Sequence, residues 1–349
     1  MMQPVRGAPA TLVDVAGLAG VHTSTASRAL NERTRPKVST ATVSAVLAAA
    51  RELNYQPNSL ARGLKMSRTF TVGMLIPDLT NPLFPPIVRG IEDRLRDSGW
   101  TLIIANTDND DDKERSLLDA MTARRVDGLI LATARRDYPL LDEITRGGTP
   151  TVLVNRTTDE PTVPAVLGDD HSGIGQAVRH LAALGHTKIA HVGGTQAVST
   201  GLARHHSFIS WMHTEGLDAD PSRIVFARWF REDLGAEAFT TLLDRGADFT
   251  AVICGNDLIA LGVYQVLRER GLRCPDDISV IGYNDTSFND SLWPPLTSVR
   301  ISHYEIGVRA AALLVDAIDR PESAQATAPA EVRIKPELVI RGSTGEPAA

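Results

Sequence analysis

The chain has 349 residues, 43% of them hydrophobic and 22% charged, with a formal net charge of −6. That length suits about two or three domains with real cores, and the composition excludes wholesale disorder and collagen-like repeats. No apolar run approaches the roughly 20 residues that span a bilayer, the N-terminus lacks an unbroken signal-peptide stretch, and Cys254 and Cys274 are too few for a disulfide framework or a closed zinc site. A cytoplasmic chain with no membrane partner is expected.

The average charge hides a split. Residues 1–68 hold nine Lys or Arg against three acids, a net of +6, and the remaining 27 bases and 39 acids leave −12. Within the basic segment, Thr11 with Asp14 three residues on forms a variant capping box, Val15, Ala16 and Ala19 follow at helical spacing, and Gly20 stands where a helix stop needs positive φ. A second helix is expected from about His22 to Asn31 with Ala26, Ala29 and Leu30 inward. A third is expected from about Thr40 to Leu53, capped by Ser39, with Val43, Val46, Leu47, Ala50 and Leu53 buried. Two short helices across a Gly-containing turn make a helix-turn-helix. Any three-helix bundle would explain the apolar positions. The outer face of the second helix, Thr23, Ser24, Thr25, Ser27 and Arg28, followed by Arg33, Arg35 and Lys37, is what phosphate and base-edge recognition requires.

The runs Thr11–Val21, Ser27-Arg28-Ala29-Leu30-Asn31 and Leu53-Asn54-Tyr55-Gln56-Pro57-Asn58 resemble the DNA-binding headpiece of the LacI/GalR repressor family, and the likeness continues in order nearly to the C-terminus. The resemblance implies that Thr23 and Ser24 set operator preference together with Arg28. It places Thr11, Thr25, Ser39, Thr42, Tyr55 and Asn58 against the DNA backbone, with Ser27 and Asn31 completing the set. Residues 58–68 read by themselves as a linker, because so short a helix containing Gly63 is marginal in water. By resemblance they become a hinge helix on operator DNA that pairs with its dimer mate and wedges Leu64 into the minor groove, with Leu60 and Ala61 toward the partner hinge. Leu64→Ala is then expected to leave folding intact and weaken operator binding; unchanged affinity at physiological salt refutes the wedge.

From Thr69 the pattern becomes strand, helix, strand. Short β-branched runs at 71–77, 101–105, 128–132, 151–155, 188–193, 224–226, 251–254 and 279–283 alternate with helix-length segments, which means parallel sheet covered on both faces. The repeats are too many for one small sheet, so two Rossmann-like lobes are expected. The resemblance implies a type I periplasmic-binding-protein-like core that closes on a small ligand. The expected organisation is a headpiece at 1–57, a hinge at 58–68 and a two-lobed effector-binding and dimerisation domain at 69–342. The first lobe takes about 69–167 plus 300–322, the second about 168–299 plus 323–342, and 343–349 is a tail.

Ligands of such sheets sit beyond the strands' carboxyl ends. There the sequence places Asn81 and Phe84, Asn155 and Arg156, Asn256 and Asp257, and Asn284. Arg204 resembles the family's effector-gripping arginine, and Trp229 an aromatic that packs on the ligand. Singly, each is a plain cap or turn residue; recurring at successive strand ends, they suit a hydroxylated effector, a carbohydrate or derivative. Many family members carry Asp where this chain has Asn284, and some have Asp in place of Asn155, and a phosphorylated or carboxylated effector would also suit Arg156 and Arg204.

Asp108–Asp112 has the opening of a calcium loop, but Lys113 replaces the obligatory Gly and Asp119 the closing Glu. The pairs and series His205-His206 and His180, His186, His191 lack metal-ligand spacing, and no Walker loop, nucleophile elbow or dinucleotide fingerprint occurs. No metal, cofactor or catalysis is therefore expected. The reading is an effector-controlled transcriptional regulator, a repressor acting as a homodimer on operator DNA. The alternatives are a transport-type periplasmic sugar-binding receptor, which needs a leader and no basic headpiece, and an α/β hydrolase, which needs a nucleophile or metal constellation.

Overall fold

The computed structural model describes residues 10–30, 34–55, 68–320 and 330–348. The chain divides into two compact units, Met1–Thr69 and Phe70–Ala349.

In the first unit, helices α1 (Leu12–Leu18), α2 (Thr23–Leu30) and α3 (Thr40–Glu52) enclose a small core of Val15, Ala16, Ala26, Ala29, Val46, Ala49 and Ala50. Helices this short are unstable alone, so their ends and this packing carry them. The Thr11 hydroxyl accepts the Asp14 N–H (3.4 Å) while the Asp14 carboxylate accepts the Thr11 N–H (2.8 Å), closing the box on α1. Gly20 follows at φ +64°. The end of α2 is closed by Arg35, whose Nε donates to the Ala29 carbonyl, and by the Thr34 hydroxyl on the Arg28 carbonyl. Ala49 takes the inward place expected of Leu47, which is only half-buried.

The second unit contains two six-stranded sheets. In the first the order is β11 (Glu331–Ile334), β5 (Ala165–Gly168), β4 (Thr151–Val154), β3 (Gly128–Leu131), β1 (Thr71–Ile76), β2 (Thr101–Asn106). In the second it is β12 (Glu337–Val339), β10 (Thr297–Arg300), β9 (Ser279–Asn284), β8 (Ala251–Cys254), β6 (Ile189–Gly193), β7 (Ile224–Phe226). Among the described residues every pairing is parallel except β10 with β12. Strands β3, β4, β5 and β8 are buried along their whole length, as parallel strands sandwiched by helices must be. The covering helices are α4 (Phe84–Arg96), α5 (Asp111–Ala123), α6 (Pro139–Arg146), α7 (Asp170–Ala183), α8 (Ser199–Thr214), α9 (Glu232–Asp244), α10 (Asp257–Glu269) and α11 (His303–Asp319). One apolar core runs through both lobes, joining Ile76, Ile130 and Val154 to Ile253, Ile281 and Tyr283. Among the described residues no helix is long and apolar enough to cross a membrane.

The lobes are joined at three places, after β5, between β10 and α11, and between β11 and β12. The last corrects the expected boundaries. Residues 331–334 belong to the first lobe, because β5 leaves an open edge that Glu331–Ile334 fills in parallel register, Glu331 opposite Ala165. Lys335 and Pro336 then bring the chain to β10. Nor are residues 343–348 a free tail. Ser343 is fully buried; its hydroxyl donates to the Val280 carbonyl (2.6 Å) and accepts the Thr297 N–H (2.8 Å), and the Gly345 carbonyl lies 2.9 Å from His186 Nε2.

Candidate functional site

On the helical unit, α2 turns Ala26 and Ala29 inward, which leaves Ser24, Ser27 and Arg28 exposed and Thr23 and Thr25 half-buried. The Ser24 hydroxyl is 2.8 Å from His22 Nδ1. Thr11, Ser39 and Thr42 have their hydroxyls in local caps, Ser39 accepting the Thr42 N–H and donating to the Thr42 hydroxyl. Tyr55 packs half-buried against the helical core. Asn31, Asn58, Ala61 and Leu64 lie outside the described residues.

In the α/β unit the carboxyl ends of the two sheets face a narrow cleft. Asn81 enters it from the loop after β1, Phe84 from the first turn of α4, and Asn155 and Arg156 from the end of β4. The second lobe contributes Thr200 and Arg204 on α8, Phe230, Asn256 at the cap of α10, and Asn284 at the end of β9. Asn155 and Asn284 have φ of +65° and +105°, conformations that Asn tolerates better than most residues and that mark sharp exits from strands.

The side chains are held differently. Asn81 Oδ1 accepts the Leu83 N–H (3.1 Å), and Asn256 Oδ1 accepts the Ile259 N–H (2.9 Å) as the α10 cap. Arg204 is buried; its Nε donates to Asp170 (2.9 Å), its Nη1 to the Gly255 carbonyl (2.6 Å), and its guanidinium lies 3.8 Å from the Tyr283 ring centroid. Arg156 is buried too, yet its Nε has no hydrogen-bond partner among the described residues, and neither does Asn284 Oδ1. Burial, with help from the nearby Arg135 and Arg204 charges, pushes the Arg156 guanidinium down to about 10.

Two expected cleft residues are placed elsewhere. Trp229 is not part of the lining; its neighbour Phe230 is, with its ring resting on Gly194, where an added Cβ would be 2.1 Å from Phe230 Cε1. Asp257 is fully buried behind the cleft. Its carboxylate accepts the Ser298 hydroxyl (2.6 Å) and both the N–H (2.7 Å) and hydroxyl (2.9 Å) of Thr286, so it ties α10 to the segments around β9 and β10. Desolvation outweighs those donors and raises its carboxyl to about 6. Thr200 and Leu83 are lining residues that sequence reasoning did not single out. Among the described residues no group of His, Cys, Asp and Glu could hold a metal ion.

A helix-turn-helix unit and a two-lobed α/β unit with a polar cleft together define the class of DNA-binding regulators that carry their own sensing domain. Residues 11–58 match the profile of bacterial regulatory proteins of the lacI family, and residues 69–341 that of periplasmic binding proteins and the sugar-binding domain of the LacI family. The HTH-type transcriptional repressor PurR of Haemophilus influenzae (strain PittEE) is 35% identical over 342 residues, covering 96% of this chain and 98% of the relative. The ribose operon repressor of Escherichia coli (strain K12) is 35% identical over 335 residues, with 96% and 99% covered. A crystal structure of the lac repressor dimer bound to operator and the anti-inducer ONPF superposes with a TM-score of 0.82 at 26% identity, covering 97% of this chain and 100% of that one. The chain belongs to the LacI family of transcriptional regulators.

Proposed function

We propose that the protein is a repressor that binds a near-palindromic operator as a homodimer and is controlled by a small hydroxylated effector, a sugar or derivative, held between the lobes. The carrying observation is the convergence of four asparagines and two arginines, with Phe84 and Phe230, from both lobes onto one cleft. Amides paired with apolar rings match an alternately hydroxylated and apolar ligand. Because the cleft is lined from both sides, a ligand there favours one relative placement of the lobes, the differential binding that control requires.

Homodimerisation is supported by the surface of the first lobe. Edge strand β2 leaves Ile103 and Ile104 exposed, and Ile104 lines an apolar groove together with exposed Leu79, Phe84, Pro85 and Val88. A sheet edge with exposed apolar residues beside an apolar groove invites a second chain. The relatives that are repressors, and the operator-bound dimer whose fold this chain shares, support the same reading.

A gel shift on the chain's own upstream region tests it. Affinity is expected to fall steeply with salt, as phosphate neutralisation demands. Arg28→Ala is expected to weaken operator binding by roughly 10- to 100-fold, the range of one bidentate base contact, with little effect on stability because the side chain is exposed. No binding at low salt, with or without sugars, would refute the proposal.

A further inference from the structure

We infer that the effector carries an anionic group, a phosphate ester or a carboxylate, on its hydroxylated framework, and that Arg156 is the residue that receives it. The inference rests on the effector cleft proposed above and concerns only the class of ligand.

The two cleft arginines are not equivalent. Arg204 is satisfied within the fold by Asp170, the Gly255 carbonyl and the Tyr283 ring. Arg156 is as deeply buried, but no hydrogen bond or ion pair joins it to any described residue, and its Nε is without a partner. The acid whose charge it feels is Glu114, which is itself buried and bonded by the Tyr138 hydroxyl. A buried cation without a counter-charge is costly, and a bound anion removes that cost.

The rest of the lining points the same way. A backbone N–H fixes the orientation of Asn81 and of Asn256, so each uses its oxygen in the fold and keeps its Nδ2 donor for a ligand. With Arg156 and the Thr200 hydroxyl these make a donor-rich wall, and no carboxylate is among the lining residues. Each hydroxyl of a neutral polyol brings a donor as well as acceptor lone pairs and needs an acceptor from the protein in return; here Asn155 and Asn284 are the principal candidates for that part. A phosphate or carboxylate offers acceptors only, and makes the shorter, charge-assisted bonds of an arginine partner.

The test uses the full chain at pH 7.5 and constant ionic strength. Binding is measured by calorimetry and thermal shift for ribose against ribose 5-phosphate, glucose against glucose 6-phosphate and gluconate, and inorganic phosphate. At least one anionic sugar is expected to bind ten-fold or more tightly than its neutral parent. Arg156→Gln should reduce the anion's affinity at least ten-fold more than it reduces the neutral parent's, so that the preference for the anion is lost. Asn155→Asp, which keeps Arg156 and adds a carboxylate beside it, should narrow the preference as well, and serves if Arg156→Gln misfolds by circular dichroism. A neutral parent binding as tightly as its anion, an anion indifferent to both substitutions, or no response to any anion overturns the inference. Salt-sensitive operator binding by the same preparation reports separately on the regulator reading, so either can fail alone.

Discussion

Acidification from pH 6.5 to 4 is expected to lower the stability of the Phe70–Ala349 unit by several kcal/mol, chiefly through two buried histidines. His191 is fully buried on β6, with Nδ1 2.9 Å from the Ile253 carbonyl, its ring stacked on Phe208, and Nε2 without a partner. With Nδ1 donating to that carbonyl, Nε2 is the site a proton would take, and the new N–H would have no acceptor. Burial accordingly drives the imidazole down to about 4. His303, buried at the start of α11 and further opposed by Arg204, is also driven down to about 4. Both values lie below the unfolded value near 6.5, so the native state binds fewer protons in this window. Stability contributed by these groups is present above about pH 6.5 and is lost as the pH falls toward 4. Each fall of about 2.5 units corresponds to roughly 3 kcal/mol at full protonation.

Asp257 works in the opposite sense. Its carboxyl is raised to about 6, so the native state binds more protons between about pH 4 and 6, and acidification through that window stabilises it by roughly 3 kcal/mol. Two histidines against one aspartate leave a net loss of roughly 3 kcal/mol, and Asp257→Asn should make the acid loss steeper by about as much. All four tryptophans, Trp100, Trp211, Trp229 and Trp293, lie in this unit, so urea titrations followed by tryptophan fluorescence read it alone. Wild type and Asp257→Asn with parallel stability curves between pH 4 and 6.5 would remove the aspartate from the scheme. A flat wild-type curve that steepens neither with Asp257→Asn nor with pH would remove the histidines too.

What was legible in the sequence follows from how local its causes are. The Thr11–Asp14 box and the Gly20 stop act within four residues, and strands such as β4 and β8 announce themselves by unbroken apolar runs. Strand β11 does not. Its partner β5 lies some 165 residues earlier, and its alternating Glu-Val-Arg-Ile run exposes one face, so nothing nearby says which lobe it joins. The cleft shows the same division. Strand ends named Asn81, Asn155, Asn256 and Asn284 because the rule for parallel sheets is topological. Phe230 was missed by one position because β7 is only three residues long, and the choice between Trp229 and Phe230 is made by Gly194 across the sheet end. Asp257 was misplaced because its donors, Thr286 and Ser298, are 29 and 41 residues away. The solitude of Arg156 likewise exists only once the chain is folded around it.

Gly307 is the position at which a small substitution should do the most damage. Helices α4 and α11 cross with glycine on backbone in both directions. A Cβ at Gly307 would lie 2.1 Å from the Ile87 carbonyl oxygen, and one at Gly90 2.2 Å from the Tyr304 carbonyl oxygen. The obstacles are main chain, so no rotamer change relieves them and the helices must separate. Helix propensity argues the other way, since alanine in a helix interior is about 1 kcal/mol better than glycine. Overpacking a well-filled core costs roughly 1–3 kcal/mol, occasionally more, and a clash with a carbonyl oxygen belongs at the upper end. Gly307→Ala is therefore expected to destabilise by about 2 kcal/mol net and Gly307→Val by more than about 3 kcal/mol. Gly17 makes the internal control, because nothing lies within 4 Å of its Cβ position in α1. The same change to alanine there should stabilise the helical unit by up to about 1 kcal/mol. The effect at Gly307 also reaches the cleft. Helix α11 starts three residues beyond β10, and Ser298 of β10 donates to Asp257, which holds the α10 end next to Asn256. Displacing α11 should thus weaken effector binding along with stability. A Gly307→Ala chain that melts at or above the wild-type temperature would mean that propensity wins, and that the two helices are free to move apart.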